Sequence, residues 1–419
     1  MRRLPALLVV ILALAAGVGI GMLAGKVVLG PMTSTAEVAP TSPAAAAGGS
    51  TAPSGAAGQA SGAPALPSAS PSPTPAPTPV LVPDPLDGVL VSPSLARRHV
   101  VAVMIDDLWA ARPQSGLSAA SIVWQAPAEG GIPRYMALFS EGSPPAVGPI
   151  RSSRLYFIAW AAEWNAVYLH VGGSPQALAV LDSSQGAGSV VWNADQIRLG
   201  ATYMWRIATR AAPHNVYSSA KAMQELVKAL HAPASMPYKA AWQFAADPPL
   251  DQLPMSGSIS VPYPQNVISY AYDPATNSYP RTVTSEGREV DAGTGTRIAP
   301  HNVLVIYMSF GPLNDGSNKG RLEAQFTGSG RALVFRNGTL IKATWKKASM
   351  TAPTLLYGPD GQPVTLTVGQ TFVQVVPIGT AITYKLGQLP GSGTSPLPSG
   401  AAAPSPSPLG LVGDWRLVL

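Results

Sequence analysis

Residues 151–182 read RSSRLYFIAWAAEWNAVYLHVGGSPQALAVLD, and this stretch decides the fold because its hydrophobic period changes twice. Its first part, Ser152 to Trp164, has the apolar spacing of a helix, at Leu155, Ile158, Ala159 and Ala162. The run VYLHVGG that follows has the composition of a strand. Ser174 before Pro175 is then typical of the start of a second helix. Strand and helix alternating in this way predict an α/β domain.

The sequence on either side of this stretch supplies further strands. HVVAVMID, residues 99–106, is a nearly continuous apolar run that ends in Asp106 and is followed by Asp107. Such a run predicts a buried strand with polar groups at its carboxyl end. SIVWQAP and RYMALFS predict two more strands. From about residue 236 paired strand patterns dominate, and Asn337-Gly338 predicts a type I′ hairpin turn.

These patterns predict an α/β domain over residues 86–235 and a β-rich domain over residues 236–419, with a low-complexity insertion near residues 387–409 and a last strand at residues 411–419. Before them, residues 1–30 hold an apolar run long enough to span a bilayer, which predicts an uncleaved signal anchor. Arg2 and Arg3 should remain in the cytoplasm, so we expect the folded domains to be extracytoplasmic. Residues 31–85 are rich in Pro, Ala, Ser and Gly, a composition typical of a disordered linker.

Composition excludes several classes of protein. The chain has no cysteine, so disulfides, thiolate metal sites, a cysteine nucleophile and a lipid-modified cysteine are all excluded. Half of its formal net charge of +6 comes from Arg2, Arg3 and Lys26 beside the predicted anchor. The remaining excess is too small to indicate nucleic-acid binding.

A candidate site lies between residues 112 and 215, where charged residues are concentrated in a chain that is only 11% charged. Arginine guanidinium groups suit carboxylate or phosphate ligands. The predicted ligand-binding residues are Arg112, Arg134, Arg151, Arg154, Ser174 and Asn215. The alternative is that the arginines pair internally with the acidic residues Asp106, Asp107, Glu129 and Glu163.

Catalysis is left open by the sequence, and the candidates for acid/base chemistry are Asp106, Glu129, His170 and His214. His170 precedes two glycines and a helix start, a position typical of a ligand-binding switch between strand and helix. The histidine spacing does not indicate a metal site, and no phosphate-binding or dinucleotide fingerprint is present. We therefore expect neither a metal nor a cofactor.

Several long motifs resemble the YerB-like family, which is defined by a domain of unknown function and named for a bacterial lipoprotein. The resemblance rests on AVMIDDLWAARPQSGLSAASIVWQAPAEGGIPR, GPIRSSRLYF, HVGGSPQAL and APHNVYSS, and more weakly on GTLIKATWKK and LLYGPDGQPVTLTVGQTFVQVVP. It implies a membrane-attached, extracytoplasmic protein of two domains. Many members carry a lipid-attachment cysteine, Asn where Asp107 stands and Glu where Gln125 stands, and this chain differs at all three positions.

Taken together, the sequence predicts a single-pass protein of the cell membrane whose folded part binds a wall-related anionic ligand or partner. One alternative is a hydrolase or transferase that acts on envelope polymers. Another is a scaffold for membrane-bound wall-synthesis proteins. The predicted partners are accordingly the membrane, peptidoglycan or another envelope polymer, and wall-synthesis proteins, with no nucleic acid.

Overall fold

The structure is a computed structural model that describes residues 80–391. In the first half, the strands are β1 Val82–Pro83, β2 Leu90–Val91, β3 Val101–Asp106, β4 Ile122–Glu129, β5 Ile132–Phe139, β6 Val167–His170, β7 Trp192–Asp195, β8 Trp205–Arg206 and β9 Val216–Tyr217. The helices are α1 Leu155–Ala162, α2 Pro175–Asp182, α3 Gln196–Leu199 and α4 Ala220–Ala229. Short 3₁₀ turns cover Trp109–Ala111, Leu117–Ala119 and Leu250–Gln252.

The second half contains strands only, apart from the last of those turns. They are β10 Gln243–Ala245, β11 Gly257–Tyr263, β12 Asn266–Ala271, β13 Arg281–Val283, β14 Gly287–Arg288, β15 Asn302–Met308, β16 Phe310–Pro312, β17 Leu322–Ala324, β18 Gly328–Arg336, β19 Thr339–Lys347, β20 Leu355–Tyr357, β21 Thr365–Thr367, β22 Thr371–Pro377 and β23 Thr383–Leu386.

A ten-stranded mixed sheet organises these elements, in the order β20-β19-β18-β15-β22-β4-β5-β3-β6-β7. Strands from both sides of residue 235 therefore share one sheet, and they meet where β22 pairs in parallel with β4. A five-stranded sheet, β14-β13-β12-β11-β23, packs on the second-half strands. Helices α1 and α2 cover one face of the large sheet, and α4 covers the opposite face of its first-half strands.

The predicted strands at residues 99–106, SIVWQAP and RYMALFS are confirmed as β3, β4 and β5. The α/β prediction holds only at a coarser level, because the described chain is mostly β. In the first half, β4 and β5 form an antiparallel hairpin, while β3, β6 and β7 run parallel. Gly130 and Gly131 both have positive φ, at 57° and 76°, as a tight hairpin turn requires.

The helix predicted from residue 152 begins only at Leu155, after Arg154 in the extended N-cap position. Ser153 instead pairs with the loop after β6, where its amide donates to the Gly172 carbonyl at 2.9 Å and its carbonyl accepts from the Ser174 amide at 3.2 Å, which accounts for the later start. The second helix begins as predicted, with the Ser174 hydroxyl accepting from the Ala177 amide.

Within residues 80–391, no helix has the length and apolar character needed to cross a bilayer. The predicted anchor at residues 1–30, nearly all of the predicted linker and the predicted last strand at residues 411–419 lie outside the described residues.

Candidate functional site

The candidate site lies where two neighbouring parallel strands separate at their carboxyl ends. Strands β3 and β6 pair over residues 101–103 and 167–169, and beyond that point a loop enters between them. Arg151 occupies the gap: its amide donates to the Met104 carbonyl at 3.0 Å and its carbonyl accepts from the Val171 amide at 3.1 Å. Crevices of this kind, outside the carboxyl ends of parallel strands, are where α/β proteins bind ligands.

Two arginines converge on one carboxylate oxygen beside this gap. Arg134 donates from Nη2 to Glu129 Oε2 at 2.8 Å, and Arg154 donates to the same oxygen. Each arginine is also fixed by a backbone carbonyl, that of Ser152 for Arg134 at 2.9 Å and that of Ser153 for Arg154 at 2.6 Å. Both guanidinium groups are nearly inaccessible to solvent, whereas a quarter of the Glu129 side chain is exposed.

The arginine cluster, Arg134, Arg151, Arg154 and Arg321, holds four guanidinium groups against three carboxylates, those of Glu129, Asp106 and Asp315. Burial lowers the pKa of Arg134 and of Arg151, and it lowers the pKa of Arg154 to about 10. Repulsion from Arg321 contributes to the lowered pKa of Arg134 and Arg154. The Nε atoms of Arg154 and Arg321 are buried without a hydrogen-bond acceptor. An added anion would supply the acceptors that these groups lack.

Beside the cluster, Asp106 holds a histidine and an arginine with one oxygen. Asp106 Oδ2 lies 2.7 Å from His214 Nδ1 and 2.8 Å from Arg151 Nε. Its other oxygen accepts from the Leu108 amide at 3.1 Å. Because a carboxylate only accepts, His214 Nδ1 carries a proton, and in the neutral ring Nε2 has the free lone pair. This arrangement can orient a histidine for acid/base chemistry.

A second charged network lies deeper and links the two halves of the chain. Asp107 Oδ1 accepts from Arg112 Nε at 3.0 Å and from Nη2 at 2.7 Å, while its Oδ2 accepts from Gln125 Nε2 at 2.5 Å. Gln125 Oε1 in turn accepts from Arg281 Nη2 at 2.8 Å. Arg112 also pairs with Glu286 at 2.9 Å. Burial raises the pKa of Asp107, and Arg112 opposes that shift. In this network Arg112 has a structural role.

His170, a predicted catalytic candidate, is fully buried and engaged at both ring nitrogens. Nδ1 lies 2.8 Å from the Gly172 carbonyl and Nε2 lies 2.8 Å from Asn193 Oδ1. In the described part of the chain, no group of side chains with metal-ligand spacing contains His170 or His214. His170 and His214, both predicted acid/base candidates, thus have separate surroundings.

The last two predicted binding residues support local structure. Ser174 is buried and caps helix α2, and its amide donates to the Ser153 carbonyl at 3.2 Å. Asn215 is buried beside His214 in the sequence, and its Oδ1 accepts from Arg206 at 2.7 Å. Ser174 therefore fixes the segment that carries the arginines.

The sequence analysis did not identify two residues of these networks, Arg281 and Arg321. Both come from the second half, far from the cluster in sequence. Arg281 is a fully buried arginine in the otherwise uncharged strand β13, and an arginine within such a strand was the available signal. Arg321 reaches the site because its backbone bridges to that of Glu129, a pairing without a local sequence pattern.

Comparison with known proteins places this architecture among solved folds. Residues 86–233 match the family described as "Protein of unknown function (DUF3048) N-terminal domain", and residues 259–373 match its C-terminal domain. "Putative lipoprotein YerB" from Bacillus subtilis (strain 168) is 29% identical over 300 residues, which cover 70% of this chain and 86% of that protein. The crystal structure of YerB protein from Bacillus subtilis matches with a TM-score of 0.64 and 25% identity, over 73% of this chain and 99% of that one.

Proposed function

This chain belongs to the DUF3048 family of YerB-like proteins, as its motifs indicate, and from this premise we propose that it binds an anionic polymer of the cell envelope. In this proposal the protein is held at the membrane by its N-terminal segment, with the folded part outside the cytoplasm. The name of the similar Bacillus subtilis protein, "Putative lipoprotein YerB", is consistent with that location. Since this chain has no cysteine for a lipid, the apolar segment at residues 1–30 would serve as the anchor.

The observation that carries the proposal is the surplus of guanidinium groups over carboxylates around the gap between β3 and β6. Arg134 and Arg154 share the carboxylate of Glu129, whereas Arg151 pairs with Asp106 and Arg321 pairs with Asp315, so four guanidinium groups meet three carboxylates. The buried Nε atoms of Arg154 and Arg321 have no acceptor. Buried donors without partners are costly, so a phosphate or carboxylate ligand that satisfied them would bind with a favourable charge-assisted hydrogen-bond term.

Access to the cluster favours a polymer over a small enclosed ligand. The Arg151 side chain is 27% exposed and Glu129 is 25% exposed, so the site opens to solvent at these residues. Trp109, three residues along the chain from Asp106, is 72% exposed. An exposed tryptophan next to an anion site suits a ligand that carries sugar rings as well as charge.

The proposal is tested by retention on isolated cell-wall sacculi. The full-length chain, purified in mild detergent, is incubated with sacculi at increasing NaCl concentrations, and the bound fraction is measured after sedimentation. We expect retention that weakens with salt, and at least tenfold weaker retention for Arg151→Gln. Arg198→Gln is the matched control, because Arg198 lies in an exposed ion pair with Asp182, away from the cluster. Equal retention of all three proteins would refute the proposal.

A hydrolase or transferase is the second candidate function, and the pair formed by Asp106 and His214 is the observation that favours it. The His214 side chain is 13% exposed, and the Asp106 carboxylate fixes its orientation at 2.7 Å. A base held in this way could activate a water or hydroxyl nucleophile. Soluble fragments released from sacculi by the wild-type chain, and absent with His214→Asn, would establish this function. Retention without fragments would exclude it for that substrate.

A further inference from the structure

Outside the arginine cluster, three acidic side chains meet where the first described loop contacts the end of β5. Asp84 and Asp87 lie in the loop between β1 and β2, and Glu141 lies just after β5. One carboxylate oxygen from each residue lies within 4.8 Å of the others. Asp84 and Asp87 are buried, at 1% and 2% exposure. We call these three residues the acidic cluster.

The oxygens of the acidic cluster are only partly satisfied by the protein. Asp84 Oδ1 accepts from the Leu86 amide at 2.8 Å, but Asp84 Oδ2 is buried and accepts no hydrogen bond. Asp87 Oδ1 accepts from the Val89 amide at 3.0 Å. A buried carboxylate oxygen without a donor is costly, and this one belongs to the group that offers metal-ligand spacing.

Neighbouring groups do not balance the charge. Two serine hydroxyls, from Ser121 at 2.8 Å and Ser140 at 2.5 Å, donate to Glu141 Oε2 but bring no charge. Arg98 is the nearby cation, and its guanidinium donates to the carbonyls of Ser140 and Glu141. One guanidinium against three carboxylates leaves an excess of negative charge.

The titration of the two aspartates is in keeping with this excess. Burial raises the pKa of Asp84 to about 6 and that of Asp87 to about 8, and repulsion from Glu141 adds to both shifts.

We propose that Asp84, Asp87 and Glu141 form a site for a divalent cation of the calcium class. The donors are all carboxylate oxygens, the ligands that hard cations prefer. Calcium–oxygen distances of about 2.3–2.6 Å allow two ligands of one ion to lie up to roughly 5 Å apart, which the separation within the cluster satisfies. Asp84 also lines a surface groove of about 930 Å³.

A bound ion would fasten the entry segment of the folded region to the large sheet. The loop that carries Asp84 and Asp87 buries Leu86 in the core, and the Asp87 carbonyl accepts from the Gly369 amide at 2.9 Å. Glu141 follows directly from β5. The ion would thus join the point where the linker ends to the centre of the fold, and this site does not depend on the proposed polymer binding.

The test uses CaCl₂ as the probe and the full-length chain in detergent at pH 7.5, freed of metal with EDTA and then dialysed. Calorimetric titration should give one site per chain with a Kd on the order of 10⁻⁴–10⁻³ M, as in extracellular calcium modules. Saturating calcium should raise Tm by several degrees, because it binds only the folded state. MgCl₂ at equal concentration should have a smaller effect on Tm, since magnesium requires a near-ideal octahedral arrangement of ligands.

Substitutions separate the acidic cluster from other carboxylates. Asp87→Asn should raise Tm in EDTA, because it removes a repulsion, and should weaken calcium binding at least tenfold. Glu141→Gln, at a less buried position, gives a second variant if Asp87→Asn does not fold. Asp251→Asn is the matched control at an exposed carboxylate and should retain the calcium response.

Three results would overturn the proposal. The first is a wild-type chain whose calorimetric titration and Tm do not respond to calcium. The second is a calcium response that persists in both Asp87→Asn and Glu141→Gln. The third is a Tm that rises between pH 8 and pH 5 in EDTA while calcium has no effect at either pH, which would show that protons alone neutralise the cluster.

Discussion

Exchanging the carboxylate of Asp107 for the amide of Gln125, and the reverse, tests how the buried network that joins the two halves is stabilised. The family resemblance implies Asn at position 107 and Glu at position 125 in many members, the opposite of the arrangement in this chain. In the structure the two side chains are in contact at 2.5 Å, between Arg112 and Arg281. Either arrangement places one carboxylate and one amide between two buried guanidinium groups.

The single substitutions should each be costly. Asp107→Asn leaves Arg112 with Glu286 as its remaining carboxylate, so we expect a loss of about 3 kcal/mol, the lower end of the range for breaking a buried ion pair. Gln125→Glu brings two carboxylates together, and one of them must take up a proton. Each pKa unit by which that group is raised above its unfolded-state value costs about 1.4 kcal/mol until the pKa passes the pH, so on the order of 2–4 kcal/mol is expected at neutral pH.

The double variant Asp107→Asn/Gln125→Glu should lie within about 1–2 kcal/mol of the wild type, because it restores one carboxylate and one amide. Urea unfolding followed by tryptophan fluorescence measures all four proteins. With an m-value near 3 kcal/mol/M, each single substitution should lower the midpoint by about 1 M. Costs that simply add in the double variant would refute the role assigned to this contact.

The pH dependence gives a second check on the same pair. In Gln125→Glu the folded state holds a carboxyl group with a raised pKa, so it binds more protons than the unfolded state. Stability is therefore retained at low pH and lost as the pH rises through that raised pKa. The deficit relative to the wild type should be smaller at pH 5 than at pH 8, and a deficit that grows on acidification would contradict the reasoning.

Three further substitutions test the packing. Lys347→Met should cost about 3–5 kcal/mol in urea unfolding, because it leaves Glu163 buried without the ammonium group at 2.8 Å, whereas Glu163→Leu/Lys347→Met should be nearly neutral. A double variant as unstable as the single one would contradict this. Trp160→Ala should cost about 3–5 kcal/mol, since the indole is fully buried and stacks on Trp124 at 4.4 Å; a loss below about 1 kcal/mol would count against the packing described. Gly338→Ala should lower Tm, because φ is +66° and a Cβ would lie 2.5 Å from the Tyr272 ring, and an unchanged Tm would show that this turn relaxes freely.

Local patterns in the sequence predicted the local structure well. The apolar runs that became β3, β4 and β5, the cap at Ser174 and the turn at Asn337-Gly338 all depend on neighbouring residues. The parallel pairing of β22 with β4 could not be predicted, because their partners Thr371 and Ile122 are far apart in the chain and parallel strands have no turn signal.

The candidate site was predicted only in part, for a related reason. The sequence identified the arginines at 134, 151 and 154, which lie on adjoining strands and loops. It grouped Arg112 with them, whereas the structure places Arg112 in the deeper network with Asp107. Residues that are close in the sequence can bury their long side chains in different networks, and the sequence does not show which network each one joins. Arg281 and Arg321 enter through long-range contacts that no local pattern predicts.

The central claim is that the arginine cluster binds an anion, and the most direct measurement is a titration with a dye-labelled polyol phosphate oligomer. Fluorescence polarisation would be recorded for the full-length chain and for Arg154→Gln at several NaCl concentrations, with Arg198→Gln as the control. We predict binding by the wild type that weakens as salt rises, and at least tenfold weaker binding by Arg154→Gln, measured well below the lowered Tm that follows from the loss of its buried pair with Glu129. Absence of binding, or equal binding by Arg154→Gln and the wild type, would contradict the account.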